Sequence, residues 1–189
     1  MGKDGRGKNG CQGLNRAVFL DRDGVINRAV MREGRPYAPV SFKDFELLPG
    51  VEEAARRLHD AGFKLIVVTN QPDVKNGLQA MEDVEAAHRM IRRALPLDDI
   101  KVCFHNDSDR CQCRKPKPGM LLEAAKDWSI DLKKSYIVGD TWKDMDAGKA
   151  AGCKTIWVRY PGYADREKVK ADEVVDSLHE AAKLILGRE

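Results

Sequence analysis

No run of about 18 apolar residues occurs anywhere in the 189 positions, so no segment reads as a membrane-spanning helix. The start carries no apolar core of a secretory signal, and position 6 is Arg where a myristoylation site needs Ser or Thr. A cytoplasmic protein with no membrane partner is expected. Internal repeats and low-complexity core segments are missing as well. The body of the chain has no charge excess, because Lys3, Arg6, Lys8 and Arg16 against Asp4 account for the whole formal net charge of +3. A nucleic-acid binder carries its basic stripe on the folded domain, so no nucleic-acid partner is expected. Residues 1–15, Gly-rich and basic, read as a solvated, disordered tail. The five cysteines are odd in number and three fall within positions 103 to 113, which fits metal binding better than disulfides.

What is present suits a single domain over 16–189. With 42% of positions hydrophobic and 33% charged there is enough for one core but no room for a second full domain. A monomer acting on a small molecule is expected. Short apolar runs at Ala17–Leu20, Leu65–Val68, Val102, Tyr136–Val138 and Thr155–Val158 read as buried parallel strands. Between them, Val51–Ala61, Met81–Leu95, Pro118–Trp128 and Lys143–Ala151 place apolar residues at three- and four-residue steps, and a closing helix is expected over about Asp172–Leu186. This alternation predicts an α/β fold: one doubly wound, Rossmann-like parallel sheet of about five strands. Residues 28–48 are long for a strand-to-helix link and read as a flap over a site, or as a plain surface loop.

Asp21 and Asp23 follow directly on the first strand, and Gly24 permits a sharp turn that points both carboxylates into one cleft. Clustered carboxylates invite a hard cation such as Mg²⁺. Taken alone, Asp-x-Asp-Gly is equally compatible with a turn or a Ca²⁺ loop. Thr69-Asn70-Gln71, Arg114-Lys115-Pro116 and Gly139-Asp140 with Asp144 also lie where strands end, on the carboxyl edge of the sheet. Asp144 fits either a metal-bound water or a helix N-terminus. Cys103, His105, Cys111 and Cys113 are the ligand set of a closed, structural Zn²⁺ site that would hold the loop carrying Arg114 and Lys115. His59, His88 and His179 fall within helices and read as ordinary helix-face residues.

With FLDRDGVIN, VVTNQ, CRKPKPG and VGDTWKDMDAG in order at strand ends, residues 16 to 160 resemble the haloacid dehalogenase superfamily of phosphotransferases. The cysteine loop narrows the resemblance to its capless, zinc-loop subgroup, so no cap domain is expected. The resemblance implies a Mg²⁺-dependent phosphatase in which Asp21 attacks phosphorus and Asp23 protonates the leaving oxygen and later activates water. It further implies that Thr69 and Asn70 contact phosphoryl oxygens, that Lys115 bridges phosphate and nucleophile, and that Asp140 completes the Mg²⁺ site with Asp21 and the Asp23 backbone carbonyl. Arg114 suits a second anionic or hydroxyl-rich substrate group. The subgroup acts on D-glycero-D-manno-heptose 1,7-bisphosphate, the leading expectation, or on histidinol phosphate. This chain departs from the heptose enzymes after Gln71, where Pro72-Asp73-Val74-Lys75-Asn76-Gly77 stands in place of their Ser-Gly-Ile-x-Arg-Gly, and at Thr141, where they carry Lys. A phospho-acceptor receiver and a zinc-loop nucleic-acid module are the readings from other classes. The Asp21-x-Asp23 pair and the neutral domain count against them.

Overall fold

The computed structural model describes residues 13–160 and 162–188, so the expected tail lies almost wholly outside the described residues. Six parallel strands form the main sheet. They are β1 (Arg16–Leu20), β4 (Phe63–Asn70), β5 (Asp99–Cys103), β6 (Tyr136–Gly139), β7 (Lys154–Val158) and β8 (Glu173–Val175), in the order β5-β4-β1-β6-β7-β8. A separate hairpin, β2 (Val30–Arg32) with β3 (Arg35–Tyr37), stands apart from it.

Alternate residues of the central strands serve opposite faces, as the pleat requires. Val18, Leu20, Leu65, Val67 and Val138 enter one core, with α1 (Val51–Asp60), α3 (Met81–Ala94) and α6 (Leu178–Leu186), while the short α2 (Pro72–Lys75) follows β4 directly. Ala17, Phe19, Ile66, Val68 and Ile137 enter the other, with α4 (Gly119–Asp127) and α5 (Trp142–Ala151). Burial on both sides explains why these strands read as continuous apolar runs rather than alternating ones. The connections run outward in both directions from β1, so the crevice at the carboxyl end of β1, between β4 and β6, is the switch point where such sheets bind ligands.

The count of about five strands is corrected to six. Val174 and Val175 belong to β8, where Val175 pairs with Val158, and not to the closing helix. Their spacing from Leu178 and Ala182 mimics a helical stripe. Asp172 decides otherwise by accepting from the backbone N and Oγ1 of Thr155, both at 2.8 Å, which docks the segment on β7. Ser177 then caps α6 by accepting from the Glu180 N–H.

The flap expected over 28–48 contains the β2–β3 hairpin. Its two-residue turn, Glu33-Gly34, has φ of 50° and 71°, the positive pair that matches the twist of the flanking strands. The flap is tied down at two places. Gly34 O accepts from Ala164 N at 2.8 Å and Arg35 pairs with Asp165 at 2.9 Å, while Gln79 Nε2 donates to Pro39 O at 2.7 Å. Among the described residues no further domain is inserted, in keeping with the capless expectation.

Candidate active site

Every strand end that the motifs mark opens into one cleft. A cavity of about 400 Å³ is lined by Asp21, Asp23, Thr69, Asn70, Arg114, Lys115 and Asp140, with Arg35 and Tyr37 of the flap and Lys143 on its walls. Asp21 and Asp140 leave adjacent strands, and with Asp144 each offers an oxygen within 4.8 Å of the others. Two glycines make this approach possible. A Cβ on Gly24, whose φ is +89°, would lie 2.0 Å from Asp140 Oδ2, and one on Gly139 would lie 2.2 Å from the Asp144 Cβ.

Lys115 is the cation inside this cluster. Its buried Nζ donates to Asp144 Oδ1 at 2.5 Å and to Val68 O at 2.8 Å, and stands 2.8 Å from Asp21 Oδ1. Burial by itself would lower the lysine, but Asp144 and Asp21 outweigh it and raise the ammonium above its ordinary value. Asp144, left open between two roles, is fully buried; its Oδ2 caps α5 through Thr141, and its other oxygen fixes Lys115. Asn70 lines the cleft and also serves the lysine. Its side chain grips the Lys115 backbone in both directions, Nδ2 to Lys115 O at 3.1 Å and Lys115 N to Oδ1 at 3.2 Å, so it seats the lysine loop.

Both oxygens of Asp140 are buried without a hydrogen-bond partner. Burial, then the nearby Asp144 charge, pushes Asp21 up to about 7, and burial with Asp21 and Asp144 holds Asp140 well above the carboxylate range. Two acids so destabilised as anions, one of them with both oxygens orphaned, fit an oxygen-seeking divalent cation. A protonated acid is the folded-state preference here, so these groups favour the fold below about pH 4, and that contribution is lost as the pH rises through about 7. Added Mg²⁺ is therefore expected to raise the melting temperature more at pH 8 than at pH 5.5. An equal rise at both, read by scanning calorimetry, would contradict the site.

Asp23 is held by side chains that sequence reasoning left without a role. Arg22, only 1% exposed, forks onto its carboxylate from Nε and Nη2 at 3.0 to 3.3 Å. Asn27 Nδ2 reaches Oδ1 at 2.9 Å and Gln71 Nε2 reaches Oδ2 at 2.7 Å, with Gln71 also donating to Thr69 Oγ1 at 2.9 Å. Asn27 and Gln71 sit inside the quoted motifs, which was the available signal.

Arg114 Nε donates to Asp107 at 2.6 Å, while its buried Nη1 has no partner among the described residues. Lys143 is lowered by burial and by Arg114, which marks this wall as a crowded set of cations. The four expected zinc ligands meet: Sγ atoms of Cys103 and Cys113 are 3.2 Å apart, those of Cys103 and Cys111 3.8 Å, and His105 Nδ1 is 3.3 Å from Cys113 Sγ. Tetrahedral thiolates on zinc stand about 3.8 Å apart. Burial, and then its hydrogen bond with Cys113, push the Cys103 thiol up to about 12, so a thiolate there calls for a cation.

Residues 112–181 match the HAD-hydrolase-like family. The chain is 38% identical over 148 residues, 72% of its length and 79% of the relative's, to D-glycero-beta-D-manno-heptose-1,7-bisphosphate 7-phosphatase of Rhodopseudomonas palustris. It is 37% identical over 180 residues, 87% of its length and 88% of the relative's, to D-glycero-alpha-D-manno-heptose-1,7-bisphosphate 7-phosphatase of Mycobacterium tuberculosis. A crystal structure of D,D-heptose 1.7-bisphosphate phosphatase from B. bronchiseptica, complexed with magnesium and phosphate, is similar at a TM-score of 0.79 and 31% identity, covering 92% of this chain and 99% of that one.

Proposed function

We propose, since the chain belongs to the haloacid dehalogenase-like hydrolases and is a phosphoric monoester hydrolase, that it removes the 7-phosphate of D-glycero-D-manno-heptose 1,7-bisphosphate through a phosphorylated Asp21. The observation that carries this reading is the buried pairing of Asp21 with Lys115 beside the orphaned carboxylate of Asp140. A nucleophile must be ionised, and Lys115 holds a positive charge on one Asp21 oxygen while the other is left for phosphorus. Asp21 and Asp140, with the Asp23 backbone carbonyl, would hold Mg²⁺. When bound, that ion offsets the repulsion between carboxylate and phosphate dianion.

In the first displacement an Asp21 oxygen bonds to phosphorus as the ester oxygen leaves with a proton from Asp23. In the second, Asp23 takes a proton from water, whose oxygen attacks the same phosphorus and frees Asp21 and inorganic phosphate. The Thr69 hydroxyl would contact a phosphoryl oxygen, and Lys115 would neutralise charge as it builds. Zn²⁺ on Cys103, His105, Cys111 and Cys113 would fix the loop from which Arg114 and Lys115 project.

The second phosphate of the substrate would find counter-charge in Arg114 Nη1 and Lys143, which line the same cleft. This supports the bisphosphate over histidinol phosphate, which has no second anion to offer those cations. Turnover of the two compounds should differ by roughly 100-fold or more in kcat/KM. Arg114→Ala should raise KM for the bisphosphate by about 10- to 100-fold, the weight of hydrogen bonds to a charged group. Inactivity on both compounds, with hydrolysis of another phosphate ester, would overturn the substrate and leave the reaction class standing.

A further inference from the structure

We propose that His88, on α3 and outside the cleft, is a positioning residue that aims the buried Arg22 guanidinium at the Asp23 carboxylate. His88 Nε2 stands 3.3 Å from Arg22 Nη1, on the side of the guanidinium opposite to the Nε and Nη2 fork that meets Asp23. A guanidinium only donates, so His88 must accept, and it does so as the neutral tautomer with its hydrogen on Nδ1. Burial and the Arg22 charge push this imidazole down to about 4, so it keeps that acceptor at working pH.

The geometry around Arg22 explains why an acceptor is needed there. The guanidinium is sealed from water, with its carbon 5.9 Å from the centre of the Phe45 ring. Phe45 offers a face to stack against but no directional bond. Of the side chains that hold Asp23, only Arg22 is charged, since Asn27 and Gln71 are neutral amides. His88 is thus the only hydrogen-bond acceptor, among the described residues, that fixes the end of Arg22 remote from Asp23. Val84 and Ile91 bury the face of α3 on which it sits, so its ring is supplied by a rigid helix instead of a loop. A carboxylate that must give a proton to a leaving oxygen at one moment and take one from water at the next gains from a fixed orientation. Neither the cleft nor the metal cluster touches His88, and the residue acts through Arg22 alone.

This inference rests on the proton-donor role given to Asp23 above, and the test separates the two. The readout is the saturating single-turnover rate of leaving-group release, measured on a sugar phosphate and on p-nitrophenyl phosphate with Mg²⁺ in excess. An alkoxide needs the proton and nitrophenolate hardly does, so loss of Asp23 alignment depresses the first rate more. In His88→Leu, which fills the space without an acceptor, the ratio of the two rates should fall by about 10-fold, a part of the ~10²–10⁴ that a general acid supplies. Half-saturation by either ester should stay within about two-fold of the parent. His88→Gln, whose amide oxygen accepts, should restore most of the ratio. Because both rates come from one preparation, the ratio is independent of the fraction folded. An unchanged ratio in His88→Leu, or a fall that His88→Gln does not repair, overturns the positioning role. Asp23→Asn is the control: if it leaves the ratio unchanged, the proton-donor assignment fails instead.

Discussion

Asp21→Asn is expected to cut turnover by roughly 10⁴-fold or more, while the protein melts no lower without Mg²⁺ than its parent at pH 8. The amide is close to isosteric and still offers an oxygen to the Arg22 N–H, which lies 2.7 Å from Asp21 Oδ1. It removes the attacking oxygen anion, and with it the covalent route. It also removes one of the buried like charges whose ionised form the fold resists, since Asp21 titrates near 7 against about 4 when unfolded. The stability gained from Mg²⁺ should shrink in the same variant, and its zinc content should not change. Retained hydrolysis would refute the nucleophile assignment. A large drop in metal-free stability would refute the account of the acid cluster.

Lys115→Met should behave in the opposite way. Methionine fills much of the same volume, yet Asp21 and Asp144 lose the cation at 2.8 and 2.5 Å that makes their burial tolerable. Breaking such a buried pair from one side costs about 3–5 kcal/mol, and here two carboxylates are stranded at once. The loss should be large at pH 8 and much smaller at pH 5.5, where Asp21 takes up a proton. Mg²⁺ should recover part of it. Turnover should fall by roughly 10³-fold, the scale of losing a preorganised charge from a dry site. Denaturant melts at the two pH values would check the first part, and steady-state kinetics the second. A stability loss independent of pH would mean that the lysine matters for packing only.

The cleft positions were legible because Asp21, Asp23, Thr69 and Asp140 stand at or just past the end of an apolar run, and the order of those runs placed them on one edge, with Lys115 on the loop beyond the third strand. Asp21, Asp23, Thr69, Lys115 and Asp140 all line the cleft that the sheet order predicts. The Cys103, His105, Cys111 and Cys113 cluster was legible for a different reason: its spacing is local and its chemistry narrow. β8 was misread because three residues are too few to show a period, and Val174 and Val175 happen to continue the stripe of α6. The support of Asp23 was invisible on other grounds. Gln71 and His88 meet Asp23 and Arg22 across 48 and 66 residues, and polar partners so far apart leave no periodicity. His88 looked like any residue on a helix face. Asn70 lines the cleft that its motif marks, while its hold on the Lys115 backbone is a hydrogen-bond pair that only the folded loop defines.

The placement of β1 at the middle of the sheet also governs how the protein must assemble. β1 can pair early with β4, but its other neighbour arrives only after more than a hundred further residues, and Ala17 N meets Ser135 Oγ across a separation of 118. Such non-local closure is slow. Until β6 docks, Asp140 is absent from the cluster and Asp21 stays an ordinary solvated acid. The electrostatic penalty of the site therefore arises only when β6 joins β1, and a refolding rate measured above pH 7 should rise when Mg²⁺ is present and the acids converge around it.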